Sequence, residues 1–352
     1  MKRFSLICLC LALVLLLMPG CSSSGLKRYS AEFVELFDTF TQIIGYANSK
    51  AEFTAHAEEI YNQLKAFHQL YDIYNNYNDI NNLKTINDNA GIMPVKVDAK
   101  IIDLLLYAKE IYTLTNEKCN IAMGSVLSIW HDYRTDGIND PENAKLPPTS
   151  ELIDASAHTD IDKIIIDTEN STVYLDDPFM RIDVGAVAKG YATEIVALAM
   201  TEKGVDHMLL SVGGNIRAIG GKPPEADQDE SPPWKVGIRD PFDDNKGNIV
   251  SLKINNKSVV TSGDYERYYI VDGEKQHHII DPNTLMPAPF FTSVTIVCPH
   301  SGLADSLSTA IFCMDYEEGR ALIESLEDVE AMWLMHDQTM VYTDGFEDMI
   351  LP

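Results

Sequence analysis

Apolar residues recur every three or four positions in the first part of the chain, which is the spacing of helices with one buried face. Residues 50–74 form the clearest such stretch, and Ser49 with Glu52 supplies a capping box at its start. A second helix is predicted to begin at Asp98. Residues 120–130 are predicted to form a small-residue turn that leads into another helix.

Two early stretches lack this helical period. Residues 33–46 fit either a strand or a helix followed by a strand, and residues 71–89 are so rich in Asn, Asp and Tyr that they predict a loop. From residue 163 onward the alternation becomes that of strands. The predicted strands are 163–167, 172–175, 179–183, 208–212, 234–239, 249–254, 268–271, 276–280, 293–298, 331–336 and 339–343, and the predicted helices among them are 190–203, 303–314 and 316–326. The pattern indicates a mixed α+β chain with helices early and antiparallel strands late.

One turn stands out between a predicted strand and a predicted helix. Residues 183–192 read D-V-G-A-V-A-K-G-Y-A, so an acid ends the strand, small residues form the turn, and a lysine and a glycine open the helix. Such a turn lets backbone approach a phosphate-bearing ligand and presents free N–H groups. It matches neither a Walker motif nor G-x-G-x-x-G.

The first 20 residues have the features of an export signal. Lys2 and Arg3 precede an apolar run over residues 4–18 that is shorter than a membrane span. Cys21 follows Gly20 and precedes a short polar tether, as in bacterial lipoproteins, so Cys21 is predicted to carry lipid. The alternative is an ordinary secretory signal. We therefore predict a signal peptide over 1–20, a tether over 21–30 and a globular region over 31–352.

The charge of the chain disfavours polyanionic partners. The net charge is −26, and removal of the signal, which holds two basic residues and no acid, makes it −28. Such a charge disfavours nucleic acid and anionic lipid surfaces as electrostatic partners. A phosphate-bearing substrate would need local cations or a metal ion. The three cysteines after residue 21 match no zinc site and are predicted to be buried apolar residues.

Domain number is left open by length alone, since about 330 residues fit one large domain or two. The sequence shows no internal repeat. The acidic, proline-rich residues 223–233 lie between predicted strands, so they are predicted to be a surface loop rather than a linker.

Several motifs in order give the sequence a family resemblance. They are D-V-G-A-V-A-K-G-Y-A at 183–192, S-V-G-G-N-I at 211–216, T-S-G-D-Y-E-R at 261–267, H-H-I-I-D-P at 277–282 and A-D-S-L-S-T-A at 304–310. Together they resemble the ApbE family of FAD:protein FMN transferases over nearly the whole mature chain. The resemblance implies a single large T-fold-like α+β domain. Residues 37–39 (F-D-T) stand where the family usually has M-G-T, and 120–124 (N-I-A-M-G) where D-x-T-x-G is usual.

The resemblance implies a magnesium site. Asp305 and Thr309 would share one helical face, because they are four residues apart. In the family these positions bind Mg²⁺ together with the backbone carbonyl of the residue at Ala186, a set of oxygens that this ion prefers. Taken by itself, the spacing of Asp305 favours a helix N-cap or a solvated acid over a metal ligand.

The resemblance also implies contacts with FAD. Asp183 would contact the adenine or ribose side, and Lys189 would meet phosphate; the alternatives are a turn-capping acid and a surface lysine. Tyr77 would pack on the flavin, or simply pack against protein. The remaining implied cofactor contacts are Phe37, Ala122, Met123, Gly124 and Ile279.

His278, rather than His277, is the catalytic residue that the resemblance implies. It would act as a base for the acceptor hydroxyl or as a nucleophile, the alternative being a place in a hydrogen-bond network. Arg239 and Arg267 are candidate partners for phosphate or carboxylate.

The implied function is Mg²⁺-dependent transfer of FMN from FAD to a Thr or Ser of an acceptor flavoprotein subunit of an electron-transport complex, with release of AMP. The enzyme would be lipid-anchored on the extracytoplasmic face of a bacterial membrane. Two alternatives stay open: an FAD pyrophosphatase with water as acceptor, and an FAD-binding lipoprotein without turnover.

Overall fold

A computed structural model describes residues 25–225, 230–243 and 247–352. The predicted signal segment and Cys21 lie outside the described residues. The helices are α1 (Lys50–Tyr71), α2 (Leu83–Asp88), α3 (Ala99–Leu114), α4 (Gly124–Asn139), α5 (Thr149–Ser156), α6 (Ala188–Glu202), α7 (Ser301–Phe312), α8 (Tyr316–Glu324) and α9 (Asp344–Glu347). The strands are β1 (Lys27–Val34), β2 (Phe40–Ala47), β3 (Val95–Lys96), β4 (Ile164–Asp167), β5 (Thr172–Leu175), β6 (Met208–Val212), β7 (Asn215–Ile219), β8 (Trp234–Arg239), β9 (Asn248–Ile254), β10 (Ser258–Gly263), β11 (Tyr268–Val271), β12 (Glu274–His277), β13 (Ser293–Cys298), β14 (Glu330–Leu334) and β15 (Met340–Tyr342).

An antiparallel sheet organises this α+β domain. In the described part of the chain its order is β1-β2-β6-β7-β10-β13-β14-β15. Both faces are covered, because strand side chains alternate between two cores. Val294, Ile296 and Cys298 of β13 join the large core beneath the helices, whereas Val297 joins a smaller core under the β8–β9 hairpin. Helix α7 packs on β10 and β13 and against α6.

The first helix forms where its period predicts. The Ser49 side chain accepts a hydrogen bond from the Glu52 N–H, while the Glu52 carboxylate turns one residue further back to the Asn48 N–H, so the predicted capping box is only half formed. The helix ends at Tyr71, three residues before the predicted end, because the Asp72 carboxylate accepts from the next N–H groups and starts a turn.

Two sequence predictions of local structure are wrong. Residues 179–183 form no strand beyond a single bridge between Arg181 and Met123, because the Asn87 side chain occupies both backbone groups of Ile182. Within the predicted loop 71–89 lies α2, which begins with a capping box at Asn82 and buries Leu83 and Ile86. Local composition hid the helix, since Asn is a capping residue as well as a loop residue.

The globular domain begins earlier than residue 31. Strand β1 starts at Lys27, and Tyr29 is buried with its ring stacked on Phe53 at 5.5 Å. The ambiguous stretch 33–46 contains the end of β1, a tight turn with Phe37 at φ 55°, and most of β2. Within the three described ranges, no helix combines the length and apolar character that a membrane span needs.

Two turns have residue types that suit their positive φ angles, and the predicted burial of the cysteines is confirmed. Asp272 and Gly273 have positive φ angles of 52° and 86° and connect β11 to β12, as a two-residue hairpin turn requires. Gly204, at φ 80°, follows the end of α6. The cysteines at 119, 298 and 313 are all buried and unpaired.

Candidate active site

The turn before α6 is held by backbone contacts with the segment that precedes α4. The Asp183 N–H donates to the Ile121 carbonyl at 2.9 Å, and the Asp183 carboxylate accepts from the Gly185 N–H at 2.8 Å. Burial raises the pKa of Asp183, whereas the Gly185 N–H and the charges of His131, Arg134 and Arg267 lower it. Asp183 therefore fixes the turn with one oxygen and faces cations from other elements.

The α6–α7 contact brings Asp305 to this turn. Asp305 is 5 % exposed, and one of its oxygens accepts from the Gly190 N–H at 2.7 Å. A Cβ at position 190 would lie 2.4 Å from the Asp305 Cβ and 2.5 Å from the Ser301 carbonyl, so only glycine permits this approach. Because the Gly190 N–H is used by Asp305, it does not donate to the Ala186 carbonyl four residues earlier. Within the described residues that carbonyl accepts no hydrogen bond.

Asp305 is a buried acid that makes no ion pair in the described residues. Burial raises its pKa; Lys189, the Gly190 N–H and the Asn215 amide lower it. The Asn215 amide nitrogen is near enough to lower the pKa of Asp305, but it forms no well-aligned hydrogen bond with any group in the described residues. A carboxylate in this position would gain from a bound cation.

Hydroxyl groups surround Asp305 on the adjoining turn of α7. The Thr309 hydroxyl lies 3.5 Å from the Asp305 carbonyl and 3.4 Å from the Ser262 hydroxyl, which in turn is 2.8 Å from the Ser308 hydroxyl. The described ranges contain no group of three His, Cys, Asp or Glu side chains that could hold a metal. A metal here would thus rest on one carboxylate, hydroxyl oxygen and the free Ala186 carbonyl. Such a hard, incomplete oxygen set suits Mg²⁺, which keeps positions for water or phosphate.

The two adjacent histidines have different surroundings. His277 is buried, with its Nε2 3.0 Å from the Ala288 carbonyl, its Nδ1 accepting from the Ile279 N–H, and its ring edge-on to Phe312. His278 has a buried Nδ1 without any hydrogen-bond partner in the described residues. Burial, followed by the charges of nearby arginines, lowers the pKa of His278 to about 3. His277 is therefore structural, and His278 is a neutral imidazole at physiological pH whose Nδ1 has no hydrogen-bond partner in the described residues.

Three cations converge on His278. Arg267 and Arg134 exert the largest charge effects on it, and Lys189 acts on both His278 and Asp305. None of the three has a carboxylate within ion-pair distance in the described ranges. In an acid-rich chain such cations indicate a binding site for anions.

Arg239, the other arginine singled out by the sequence, is engaged elsewhere. Its guanidinium lies 3.2 Å from the Glu266 carboxylate and also over the Tyr265 ring. Both charged side chains of the pair are about half exposed. Of the two predicted possibilities, Arg239 takes the carboxylate.

Phe37 and Tyr77 belong to one hydrogen-bonded chain. The Phe37 N–H donates to Nδ1 of His68 at 3.1 Å, Nε2 of His68 lies 3.2 Å from the Tyr77 hydroxyl, and that hydroxyl donates to Asp72 at 2.7 Å. Burial and then the bond to Asp72 raise the pKa of Tyr77. Asp38 acts electrostatically on Tyr77 and on the neighbouring Tyr74, and Asp183 also acts on Tyr74. Tyr74 therefore connects this group to the Asp183 side of the site.

The other predicted cofactor contacts lie in the core. Ala122, Met123 and Ile279 are buried, at 0 %, 4 % and 5 % exposure. The Gly124 N–H donates to the Arg181 carbonyl at 3.1 Å, and a Cβ on Gly124 would approach that oxygen to 2.5 Å. Any contact of these residues with a flavin would come from backbone atoms, and their side chains support the turn from behind.

Sequence reasoning missed three residues at this site, namely Arg134, His131 and Tyr74. Arg134 and His131 are on α4, with 3.0 Å between the guanidinium and the His131 Nδ1, and the His131 ring packs on Tyr74 at 5.5 Å. A helix continuing past residue 130 was predictable, but a single arginine on it carries no signal of its target. Only the packing of α4 reveals that target.

The chain is similar to other proteins over most of its length. The family model described as "ApbE family" matches residues 37–333. A Treponema pallidum protein named "FAD:protein FMN transferase" is 31% identical over 308 residues, 85% of this chain and 82% of that protein. A Klebsiella pneumoniae protein of the same name is 29% identical over 292 residues, 82% and 84% of the two chains.

Solved structures share the fold. The ApbE protein from Thermotoga maritima has a TM-score of 0.77 at 27% identity and covers 93% of this chain and 100% of its own. The flavin transferase ApbE from Vibrio cholerae has a TM-score of 0.73 at 21% identity, with 92% and 99% covered. The family match spans the site from Phe37 to Thr309. This chain therefore belongs to the ApbE family.

Proposed function

We propose that this chain is a Mg²⁺-dependent FAD:protein FMN transferase that forms a phosphoester between FMN and a Thr or Ser of an acceptor protein and releases AMP. Relatives named for the transferase reaction, 26–31% identical over most of the chain, support the activity. The observation that carries the proposal is the position of Lys189, which acts electrostatically on both Asp305 and His278. A phosphate group there would meet a cation, an acid able to hold metal, and a neutral base together.

Metal binding is assigned to oxygen atoms of this chain. Asp305, the Thr309 hydroxyl and the Ala186 carbonyl would hold Mg²⁺, and the Gly190 N–H fixes the carboxylate. When bound, the ion would neutralise charge on phosphate oxygens, the main requirement of phosphoryl-type transfer. Lys189 would orient the same group from α6.

Proton transfer is assigned to His278. Its unoccupied Nδ1 would accept the proton of the acceptor hydroxyl, and a bound phosphate that offsets the neighbouring cations would raise the low pKa of this imidazole toward that of a working base. The acceptor oxygen forms a bond to the FMN phosphorus, and the bond from that phosphorus to the AMP oxygen breaks, with AMP leaving as the electron-pair acceptor. His277, already hydrogen-bonded, holds the strand that presents His278.

Cellular context follows from the first 21 residues. A lipid on Cys21 would tether the enzyme to the outer face of the cytoplasmic membrane, where its acceptor would be a flavoprotein subunit of an electron-transport complex. Labelling of cells with a radioactive fatty acid tests this: Cys21→Ala should abolish incorporation and release the protein from the membrane fraction.

An acceptor assay tests the activity. The protein is incubated with FAD, Mg²⁺ and an acceptor flavoprotein domain or its Thr→Ala form, and AMP and fluorescent acceptor are measured. We expect both products with the intact acceptor only, and neither in EDTA. Equal AMP without acceptor would identify a pyrophosphatase, and FAD binding without AMP would identify a binding protein. The exposed Asp154→Asn serves as a matched control for loss of a carboxylate.

A further inference from the structure

Arg134 and Arg267 lie on different elements that pack directly on each other. A Cβ on Gly137 of α4 would come within 2.4 Å of the Tyr269 ring of β11, so helix and hairpin touch there. Arg134 is one helical turn before Gly137, and Arg267 is two residues before Tyr269. Arg134 therefore lies on the face of α4 that meets the hairpin, and Arg267 lies in the bend that leads directly into β11. The contact therefore brings Arg134 and Arg267 to the junction between α4 and the β11–β12 hairpin.

The hairpin register places Arg267 opposite His278. Tyr268 pairs with His277 in the antiparallel β11–β12 ladder. Arg267 and His278 are the bend residues directly beyond this last pair, so the open end of the hairpin brings them near each other. Helix α4 is also tied to this loop by the Trp130 indole, which donates to the Leu285 carbonyl at 2.9 Å. His278 is thus within electrostatic range of both arginines and of Lys189 on α6.

These arginines repel each other without a neutralising acid. Burial and then Arg267 lower the pKa of Arg134, and Asp183 is near enough to act on Arg134 but makes no ion pair with it. Glu266, the acid next to Arg267, pairs with Arg239 instead. Other cations of the chain, such as Lys118 and Arg217, have buried carboxylate partners. Arg134 is half-buried and Arg267 is exposed, and two neighbouring arginines without ion-pair partners are what a multiply charged anion would stabilise.

We propose that Arg134 and Arg267 form a clamp for the phosphate groups of the nucleotide substrate. The proposal rests on the proposed function and adds two binding residues to it. Guanidinium groups match phosphate because their planar forks donate pairs of hydrogen bonds. The clamp would hold the substrate phosphates on the His278 side, opposite the Asp305 side, with Lys189 between them.

Calorimetric titration with inorganic pyrophosphate in EDTA tests the clamp without metal or turnover. Full-length protein in non-ionic detergent is compared with Arg134→Gln, Arg267→Gln and the double variant. We expect each single change to weaken pyrophosphate binding about 10–100-fold, the range for charge-assisted hydrogen bonds. Arg134→Lys should recover only part of the affinity, because lysine keeps the charge and loses the fork. Arg320→Gln, on α8 and paired with Glu324, is the control.

Titrations with AMP and FMN show which phosphate the clamp holds, and riboflavin and adenosine report binding that needs no phosphate. Weakened binding of either mononucleotide, with riboflavin and adenosine unchanged, supports the clamp. Pyrophosphate affinity within twofold of the unaltered protein in both single variants would overturn it, as would no binding to the unaltered protein. Failure of the transferase proposal is separate: it would show as normal pyrophosphate binding with no flavin transfer.

Discussion

Arg217 and Arg134 are both arginines in a strongly acidic chain, yet their surroundings are opposite. Arg217 is 5 % exposed and meets the Glu194 carboxylate through two nitrogens, at 3.0 and 3.2 Å. Glu194 also accepts from the Ser301 N–H at 2.6 Å, the first residue of α7. Every charge in this closed cluster has a protein partner. Arg134 has only His131 as a hydrogen-bond partner in the described residues.

The difference separates two uses of buried charge. The closed cluster joins β7, α6 and the start of α7, and Asp305 lies one turn further along α7, so Glu194 positions Asp305 through the helix. The open cluster of Arg134, Arg267 and Lys189 makes no ion pair in the described residues and keeps N–H donors available for a ligand. Saturated charges build this protein, and unsaturated charges face its ligand.

Breaking the closed cluster should have the largest effect on stability. Glu194→Ala leaves Arg217 buried without a partner and the Ser301 N–H unsatisfied, so we expect a loss of about 3–5 kcal/mol in the free energy of unfolding. Urea unfolding at neutral pH measures it. Glu194→Met combined with Arg217→Met removes both charges and should recover most of the loss. Equal instability of the single and double variants would contradict the pairing.

Neutralising Asp305 should separate activity from stability. Asp305→Asn should lower flavin transfer by about 100–1000-fold, as expected when charge stabilisation at a phosphoryl site is lost. The same change should raise the stability of the metal-free protein by about 1 kcal/mol, because burial disfavours the charged form. Initial rates and thermal unfolding in EDTA measure the two. A variant that loses stability in EDTA would place Asp305 with the closed cluster.

Tyr77 should behave like a member of a closed cluster. Tyr77→Phe removes a hydroxyl bonded to Asp72 and close to His68, so we expect a loss of about 1–2 kcal/mol in stability. Asn75→Ala, which removes another donor to Asp72, is a matched comparison. If Tyr77→Phe changes FAD affinity but not unfolding, the hydroxyl serves the ligand instead.

The pH dependence of unfolding should report the open cluster. The pKa of His278 is about 3 in the folded protein, below the ordinary 6.5, so the unfolded chain binds more protons between these values. Stability from this group is present above pH 6.5 and is lost as pH falls toward 3. His278→Gln should flatten the curve in that window by less than about 1.4 kcal/mol per pH unit, because the ring is partly exposed. An unchanged slope would contradict the lowered pKa of His278, which is due first to burial and then to the nearby cations.

The smallest effect on stability is expected from the clamp itself. Arg134→Gln and Arg267→Gln remove charges that make no ion pair, so unfolding should stay within about 0.5 kcal/mol of the unaltered protein or shift slightly upward. Urea midpoints measured beside Glu194→Ala test the comparison directly. A loss of several kcal/mol in either arginine variant would show that it holds the fold.

Much of the local structure was predictable. The helical period located α1 and α7, and strand alternation located β4, β5, β11 and β13. The motifs also gathered Asp183, Lys189, His278 and Asp305 into one predicted site. In the structure Lys189 acts electrostatically on both His278 and Asp305, and Arg134 and Arg267 act on both Asp183 and His278. These signals are short-range, since periodicity and turn residues act within a few positions.

Other features had no local signal. The failed strand at 179–183 depends on the Asn87 side chain, which is 95 residues from Ile182 in sequence. The approach of Arg134 to Arg267 depends on how α4 packs against the β11–β12 hairpin. Neither arginine differs locally from a surface arginine.

The sequence by itself determined most of the element types, the family motifs and the acidic charge that makes any unpaired cation significant. Tertiary structure alone decided which charges are neutralised. Glu194 pairs with Arg217 and accepts from the N–H that begins α7, and the Gly190 N–H donates to Asp305. Arg134, Arg267 and Lys189 have no ion-pair partner in the described residues and act on His278. The physical reason is distance. Ion pairing and desolvation depend on separations of a few ångströms across packed elements, and residue order along the chain does not encode those separations.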